Sequence, residues 1–143
     1  MSEKQQFATF FLGGNYFGVE VERVQEILRS QDMTPVPLSS SVVRGLINLR
    51  GQIVTAIDLR RRLGLPERAD GQPLMNVVVR SSGGGVSLLV DDIDDVVETC
   101  AESFEPPPET LPLNVREMIL GVHKLDDRLM HILDCTKVAD LNG

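Results

Sequence analysis

Apolar and polar residues alternate along this chain at two periods, and the changes of period mark its elements. Residues 7–12 (Phe-Ala-Thr-Phe-Phe-Leu) read as a strand, and Gly13-Gly14-Asn15 after them supplies a hairpin turn. Residues 16–21 return with apolar side chains at 17, 19 and 21, the period of two of a half-buried strand. Val21, Val24, Ile27 and Leu28 then recur at three and four, which predicts a short amphipathic helix. Met33-Thr34-Pro35-Val36-Pro37 cannot be helical, and its prolines suit an edge or connecting strand. Residues 45–50 and 52–57 read as two strands turning at Gly51. Asp58 is placed to cap a helix over 59–63, with Gly64 at its C-terminal end and Pro66 beyond. Residues 66–73 read as a linker.

The second half repeats this program. Residues 74–79 and 86–90 read as strands around a Ser81–Gly85 hairpin, followed by 91–97 with apolar positions at 93, 96 and 97. A Pro-rich loop over 106–112 precedes strands at 118–124 and 128–133, and Asp134 caps a last helix through Val138 and Leu141. Shifting the first half by 69 residues pairs apolar positions 8, 10, 17, 19, 21, 24 and 27 with 77, 79, 86, 88, 90, 93 and 96. These are seven pairs in 21 positions, where the composition yields about four by chance. A shift of 76 then aligns Gly45 with Gly121 and Ala56-Ile57-Asp58 with Ile132-Leu133-Asp134. The extra seven residues fall in the Pro-rich loop. The chain therefore reads as one domain over 1–143, an all-β internal duplication with halves at 7–65 and 74–141 whose strands can exchange. Each half is too small to stand alone, and pairing them buries a shared face.

Composition narrows the function by exclusion. The 143 residues are 42% hydrophobic and 24% charged, ordinary for a globular domain. No run approaches the ~18 apolar residues of a membrane span, and residues 7–12 are too short for a secretory core, so the expected location is cytoplasmic. A net charge of -7 argues against nucleic acid. An oligonucleotide-binding barrel would also need aromatic platforms among its arginines, and the aromatics cluster at 7–17 instead. Two histidines, His123 and His131, lie in apolar strand patterns and read as packed or surface residues rather than catalytic ones, and no nucleophile–base motif accompanies them. Cys100 and Cys135 are lone thiols without metal spacing. The Ser-Ser-Gly-Gly-Gly run lacks the Lys-Ser/Thr of a phosphate loop, and Asp91-Asp92/Asp94-Asp95 lacks the spacing of a calcium loop and reads as a solvated acidic turn. No enzyme, cofactor or metal is indicated. Charge is uneven: six arginines lie between 44 and 68, and eight acids without a Lys or Arg between 91 and 109. These runs are either two solvated faces or a basic docking patch facing an acidic partner.

The segment Gly45-Leu-Ile-Asn-Leu-Arg50-Gly51, followed by Ile57-Asp-Leu-Arg60, resembles the CheW family of bacterial chemotaxis adaptors. Val24-Gln-Glu-Ile27, Val90-Asp-Asp-Ile93, Gly121-Val-His-Lys-Leu-Asp-Asp-Arg128 and Ile132-Leu-Asp134 extend the resemblance over residues 7–141. It implies two five-stranded barrels resembling Src-homology-3 barrels around a common core, with short helices. It also implies a non-catalytic scaffold that couples the cytoplasmic tips of transmembrane chemoreceptors to the regulatory domain of a chemotaxis-type histidine kinase, recruited to membrane-associated arrays without inserting in the membrane. Carried over by position, Val24, Glu26, Ile27, Gly45 and Arg50 are the expected receptor-binding residues, with core packing an equal reading for Val24 and Ile27, a backbone constraint the favoured one for Gly45, and a surface or intradomain salt bridge the alternative for Arg50. Gln52, Ile53, Val54, Thr55 and Ala56 are the expected kinase-binding stretch. Thr55 departs from the family, which commonly has proline there, and can donate an N–H that proline cannot.

Overall fold

The computed structural model describes residues 4–37, 40–69, 71–81 and 84–140. Ser82 and Gly83 of the expected hairpin, and Leu141 of the expected last helix, lie outside them. The first half supplies β1 (Lys4–Leu12), β2 (Asn15–Glu20), β3 (Val24–Arg29), β4 (Val43–Leu49), β5 (Gln52–Asp58) and α1 (Leu59–Arg62). The second supplies β6 (Met75–Ser81), β7 (Gly84–Val90), β8 (Asp92–Cys100), β9 (Phe104–Glu105), α2 (Leu113–Arg116), β10 (Ile119–Lys124), β11 (Leu129–Leu133) and α3 (Cys135–Ala139). Asp58 accepts a hydrogen bond from Arg61 N, and Asp134 from Lys137 N, so both expected caps are formed.

The strands form two sheets, in orders β8-β1-β2-β11-β10-β9 and β3-β6-β7-β5-β4. Under the repeat, β8-β1-β2-β11-β10 is the counterpart of β3-β6-β7-β5-β4. Each hairpin β1–β2 and β6–β7 has thus exchanged into the sheet built from the other half. The register obeys the repeat residue by residue. Ala8 faces Val19 and Val77 faces Leu88, while Gly45 faces Ala56 and Gly121 faces Ile132. The parallel pairs follow too, with Phe17 beside His131 and Val86 beside Thr55.

The helix expected over 21–28 is not formed. Val21–Arg23 makes one 3-10 turn and β3 follows as an edge strand. A bulge between Val24 and Glu26 explains the misleading period. Val24 faces Val79 and Ile27 faces Val77, so the extra residue puts apolar side chains three apart on one face of a strand. The counterpart residues Ile93 and Val96 share a face of β8 by the same device, opposite Phe10 and Ala8. The expected acidic turn at 91–95 is likewise mostly strand. The segment 33–37 forms an isolated bridge to β4 through Thr34, whose N–H and carbonyl bond Leu46 at 2.9 and 2.8 Å.

The shared core lies between the sheets. Phe10, Leu12, Phe17 and Val19 of one sheet pack with Val77, Val79, Leu88 and Ile57 of the other, and Leu59, Leu63, Cys135 and Val138 of the helices close it. Each sheet also curls over a smaller cluster: Phe7, Tyr16, Met130 and Ile132 in one, Ile47, Ala56 and Leu89 in the other. Neither half owns a complete core, which is why the two fold together.

Candidate partner-binding site

The β4–β5 hairpin ends in a tight turn at Arg50-Gly51. Asn48 Oδ1 accepts the Gly51 N–H at 2.9 Å, an Asx-type closure that tolerates left-handed backbone in the turn. Arg50 (φ 53°) adopts it, the one non-glycine residue to do so among the described residues. Its guanidinium reaches Glu26 on β3, tying the hairpin tip to the opposite edge of the sheet. The Arg50 side chain is 79% exposed, so this bridge contributes at most about 1 kcal/mol. Arg50 stands at the surface with one partner and most of its donors facing water.

The structure does not gather the five expected receptor-binding residues on one face. Residues directly opposite in a ladder share a face. Val24 and Ile27 therefore point with Val79 and Val77 toward the margin of the shared core, where Val24 packs and Ile27 stays 41% exposed. Glu26, opposite Val78, points to the other face and meets Arg50. Gly45 is buried and makes no surface. A β-carbon there would sit 2.7 Å from the Thr34 carbonyl oxygen and 3.1 Å from Met33 Cβ, so this glycine lets the 33–34 segment cross β4.

The expected kinase-binding stretch divides by strand alternation. Gln52 and Ile53 are exposed, Ile53 at 58%, and Thr55 is half-buried. Val54 and Ala56 are buried and face the interior, with Ala56 in the small cluster of its sheet. Thr55 and Val24 end one row across the sheet, Val24–Val79–Val86–Thr55, whose middle residues are buried.

The run of arginines is not a free basic patch. Arg60 and Arg68 both bond Asp91, at 3.0 and 3.1 Å to Oδ1, and Arg44 and Arg68 reach Asp58 at 3.3 and 3.4 Å. Arg62 binds the backbone carbonyls of Lys137, Val138 and Asp140 at the end of α3. The segment is basic because it neutralises buried carboxylates of its own fold. Asp91 joins four pieces of chain, since it also accepts the Gly13 N–H at 2.8 Å. Sequence reading missed this node, and the signal was the basic run itself, which has two acids of its own against six arginines.

A second arginine missed from sequence holds the other barrel. Arg128, at the end of the β10–β11 turn, lies over the rings of Tyr16 (4.6 Å) and Phe11 (5.6 Å), and Tyr16 donates to Asp94 at 2.9 Å. Nothing in these arrangements resembles an activated nucleophile. Burial pushes the Cys135 thiol up to about 11.

A family model for the CheW-like domain matches residues 6–142. The chain belongs to that family. It is 29% identical over 134 residues to the chemotaxis protein CheW of Klebsiella aerogenes, covering 94% of this chain and 81% of that protein. It is 29% identical over 136 residues to the CheW of Bacillus subtilis, covering 95% and 87%. The crystal structure of the scaffolding protein TtCheW from Thermoanaerobacter tengcongensis superposes with a TM-score of 0.89 at 27% identity, covering 99% of this chain and 96% of that one. The chain is accordingly a CheW-type chemotaxis coupling adaptor, a scaffold and not an enzyme. No helix among the described residues is long and apolar enough to cross a membrane.

Proposed function

We propose that this adaptor joins the cytoplasmic tips of transmembrane chemoreceptors to the regulatory domain of a chemotaxis-type histidine kinase, within membrane-associated receptor arrays. The observation that supports this most is the separation of two exposed margins on one sheet. The first margin, on edge strand β3, presents Val24 and Ile27, and the second, on β5 beside edge strand β4, presents exposed Gln52 and Ile53 with half-buried Thr55; Arg50 of the β4–β5 turn reaches Glu26 over the edge of the first. A coupling protein has to hold two partners at once, and buried Val79 and Val86 lie between the Val24 and Thr55 positions of the two margins.

On this reading the receptor tip, an amphipathic helix, lays its apolar face on Val24 and Ile27 while Arg50 takes one of its carboxylates. Gly45 acts indirectly by seating the β4–β5 hairpin. The kinase domain packs on Ile53. Each contact is weak to moderate, and array assembly gains strength from multivalency.

Arg50→Glu tests the first margin. It places two carboxylates together at an exposed turn, so the expected cost in stability is under about 1 kcal/mol. Receptor-dependent kinase activation should nevertheless be lost, with kinase binding measured by titration kept within twofold. Ile53→Glu should reverse the pattern, weakening the kinase at least tenfold and sparing the receptor fragment. Equal weakening of both partners by either folded variant would refute the two-margin reading.

A further inference from the structure

His123 is fully buried in the six-stranded sheet, although the adaptor role gives it no task. It sits on β10 between two rings, with Phe7 of β1 at 5.5 Å and Phe104 of β9 at 5.3 Å between centroids. Its Nδ1 lies 2.7 Å from Ser103 Oγ. That hydroxyl donates to the Cys100 carbonyl at 2.9 Å, so the ring N–H is on Nδ1 and donates to Ser103. The second nitrogen, Nε2, has a single long contact, 3.4 Å to Thr99 Oγ1, where the threonine hydroxyl donates. The neutral imidazole is therefore bonded on both sides.

The segment that His123 holds is slight. Residues 101–105 form one 3-10 turn and the two-residue strand β9, which pairs with β10 only at Glu105–Val122 and Phe104–His123. Phe104 crosses over Gly121, and its anchors are that close approach, the ladder pair and the imidazole. Among the described residues no strand pairs with β9 on its other side, so it is a sheet edge that depends on the ring beneath it.

We infer that His123 is a protonation-operated latch: neutral, it clamps the 101–105 strap onto β10, and charged, it releases it. A second proton would go to Nε2, which then points a charged donor at one distant hydroxyl between two phenyl rings. No carboxylate offsets it. The groups facing the ring are Phe7 from β1, Thr99 from β8, Ser103 from the turn and Phe104 from β9, and Met130 of β11 is its ladder partner. The flanking acids Glu98 and Glu105 pair at the surface with Lys4 and Lys124, at 3.6 and 3.4 Å. Burial alone holds the imidazole below its ordinary range. Lifting the strap restores water to the ring, so the open form binds the proton more tightly and acid favours opening.

The test is amide hydrogen exchange of the full chain between pH 7.5 and 5, corrected for intrinsic rates, together with a nuclear magnetic resonance titration of His123. Protection over 101–105 should fall by up to tenfold per pH unit below about 6.5, while β1–β2 amides keep theirs. His123→Phe keeps the apolar stack without a titrating group and should flatten this dependence, and His123→Gln should do the same. Strap protection that is constant with pH, or equally pH-dependent in wild type and a folded variant, would overturn the latch. Should both variants fail to fold, the wild-type pair of measurements decides. Strap opening that tracks the His123 titration supports the latch, and opening that ignores it refutes it.

Discussion

Asp91→Ala is expected to lower folding stability by about 3 kcal/mol, because it takes the main carboxylate partner from two largely buried arginines. Arg60 and Arg68 are 11% and 9% exposed and both bond the Asp91 carboxylate; without it Arg60 keeps only the Pro66 carbonyl at 3.1 Å and Arg68 only Asp58 at 3.4 Å, while Arg68 Nε has no partner among the described residues. The same carboxylate fastens the β1–β2 turn through Gly13 N, α1 through Arg60 and the chain after α1 through Arg68. Burial opposes ionisation of Asp91, but the hydrogen bonds from Arg60, Gly13 N and Arg68 outweigh it and hold the carboxyl below the ordinary carboxylate range. The sign follows from linkage. The unfolded chain takes up the proton first as pH falls, so this stabilisation is complete above the unfolded value near 4 and is lost as pH drops through the folded one. Urea midpoints at pH 7 and pH 3 measure both effects. Asp91→Asn should lose stability at pH 7 and show a smaller further loss in acid than wild type. An unchanged midpoint at pH 7 would show that the arginines find other partners.

Gly121→Ala should cost about 2–3 kcal/mol, more than the equivalent change at Gly45. The added methyl at Gly121 would meet the Glu105 carbonyl oxygen and the Phe104 ring, each 2.4 Å away, whereas at Gly45 the nearest atom is 2.7 Å away. Backbone cannot yield as a flexible side chain can, so β9 must lift from β10. Thermal unfolding with the two single variants ranks them. Gly121→Ala should also expose 101–105 to exchange at neutral pH, and Gly45→Ala should free the N–H groups of Thr34 and Leu46, each of which donates to the other's carbonyl. Equal protection in wild type and Gly121→Ala would mean that the strap adapts and that the glycine is not needed for its passage.

These two glycines show how much of the fold was legible in the sequence. The duplication placed Gly45 and Gly121 at equivalent positions before any contact was known, and the structure gives both the same job of admitting a crossing segment. Period-two runs, the Asp58 and Asp134 caps and the repeat offsets are local properties, set by backbone pleat and by capping chemistry a few residues away. They determined the strands, the two short helices that the aspartates cap and the pairing of equivalent halves. The family motifs determined the adaptor role. Period failed where a bulge intervened: apolar Val24 and Ile27 three apart mimic a helix in a strand that inserts one residue, and only the ladder to β6 shows it. The two residues of β9 were invisible for a different reason, since a strand so short has no period and exists only because β10 lies beside it. Alternation within 52–56 assigns Val54 and Ala56 to one face, but which face is buried depends on the sheet that covers it. The exchange of hairpins between halves, the pairing of Arg60 and Arg68 with Asp91 and the burial of His123 between Phe7 and Phe104 all join residues more than 15 positions apart. Charge and hydropathy along a chain say that an arginine needs an acid and that a ring needs cover. Only the tertiary structure decides which acid and which cover, because that choice minimises unpaired charge and exposed apolar surface over the whole molecule at once.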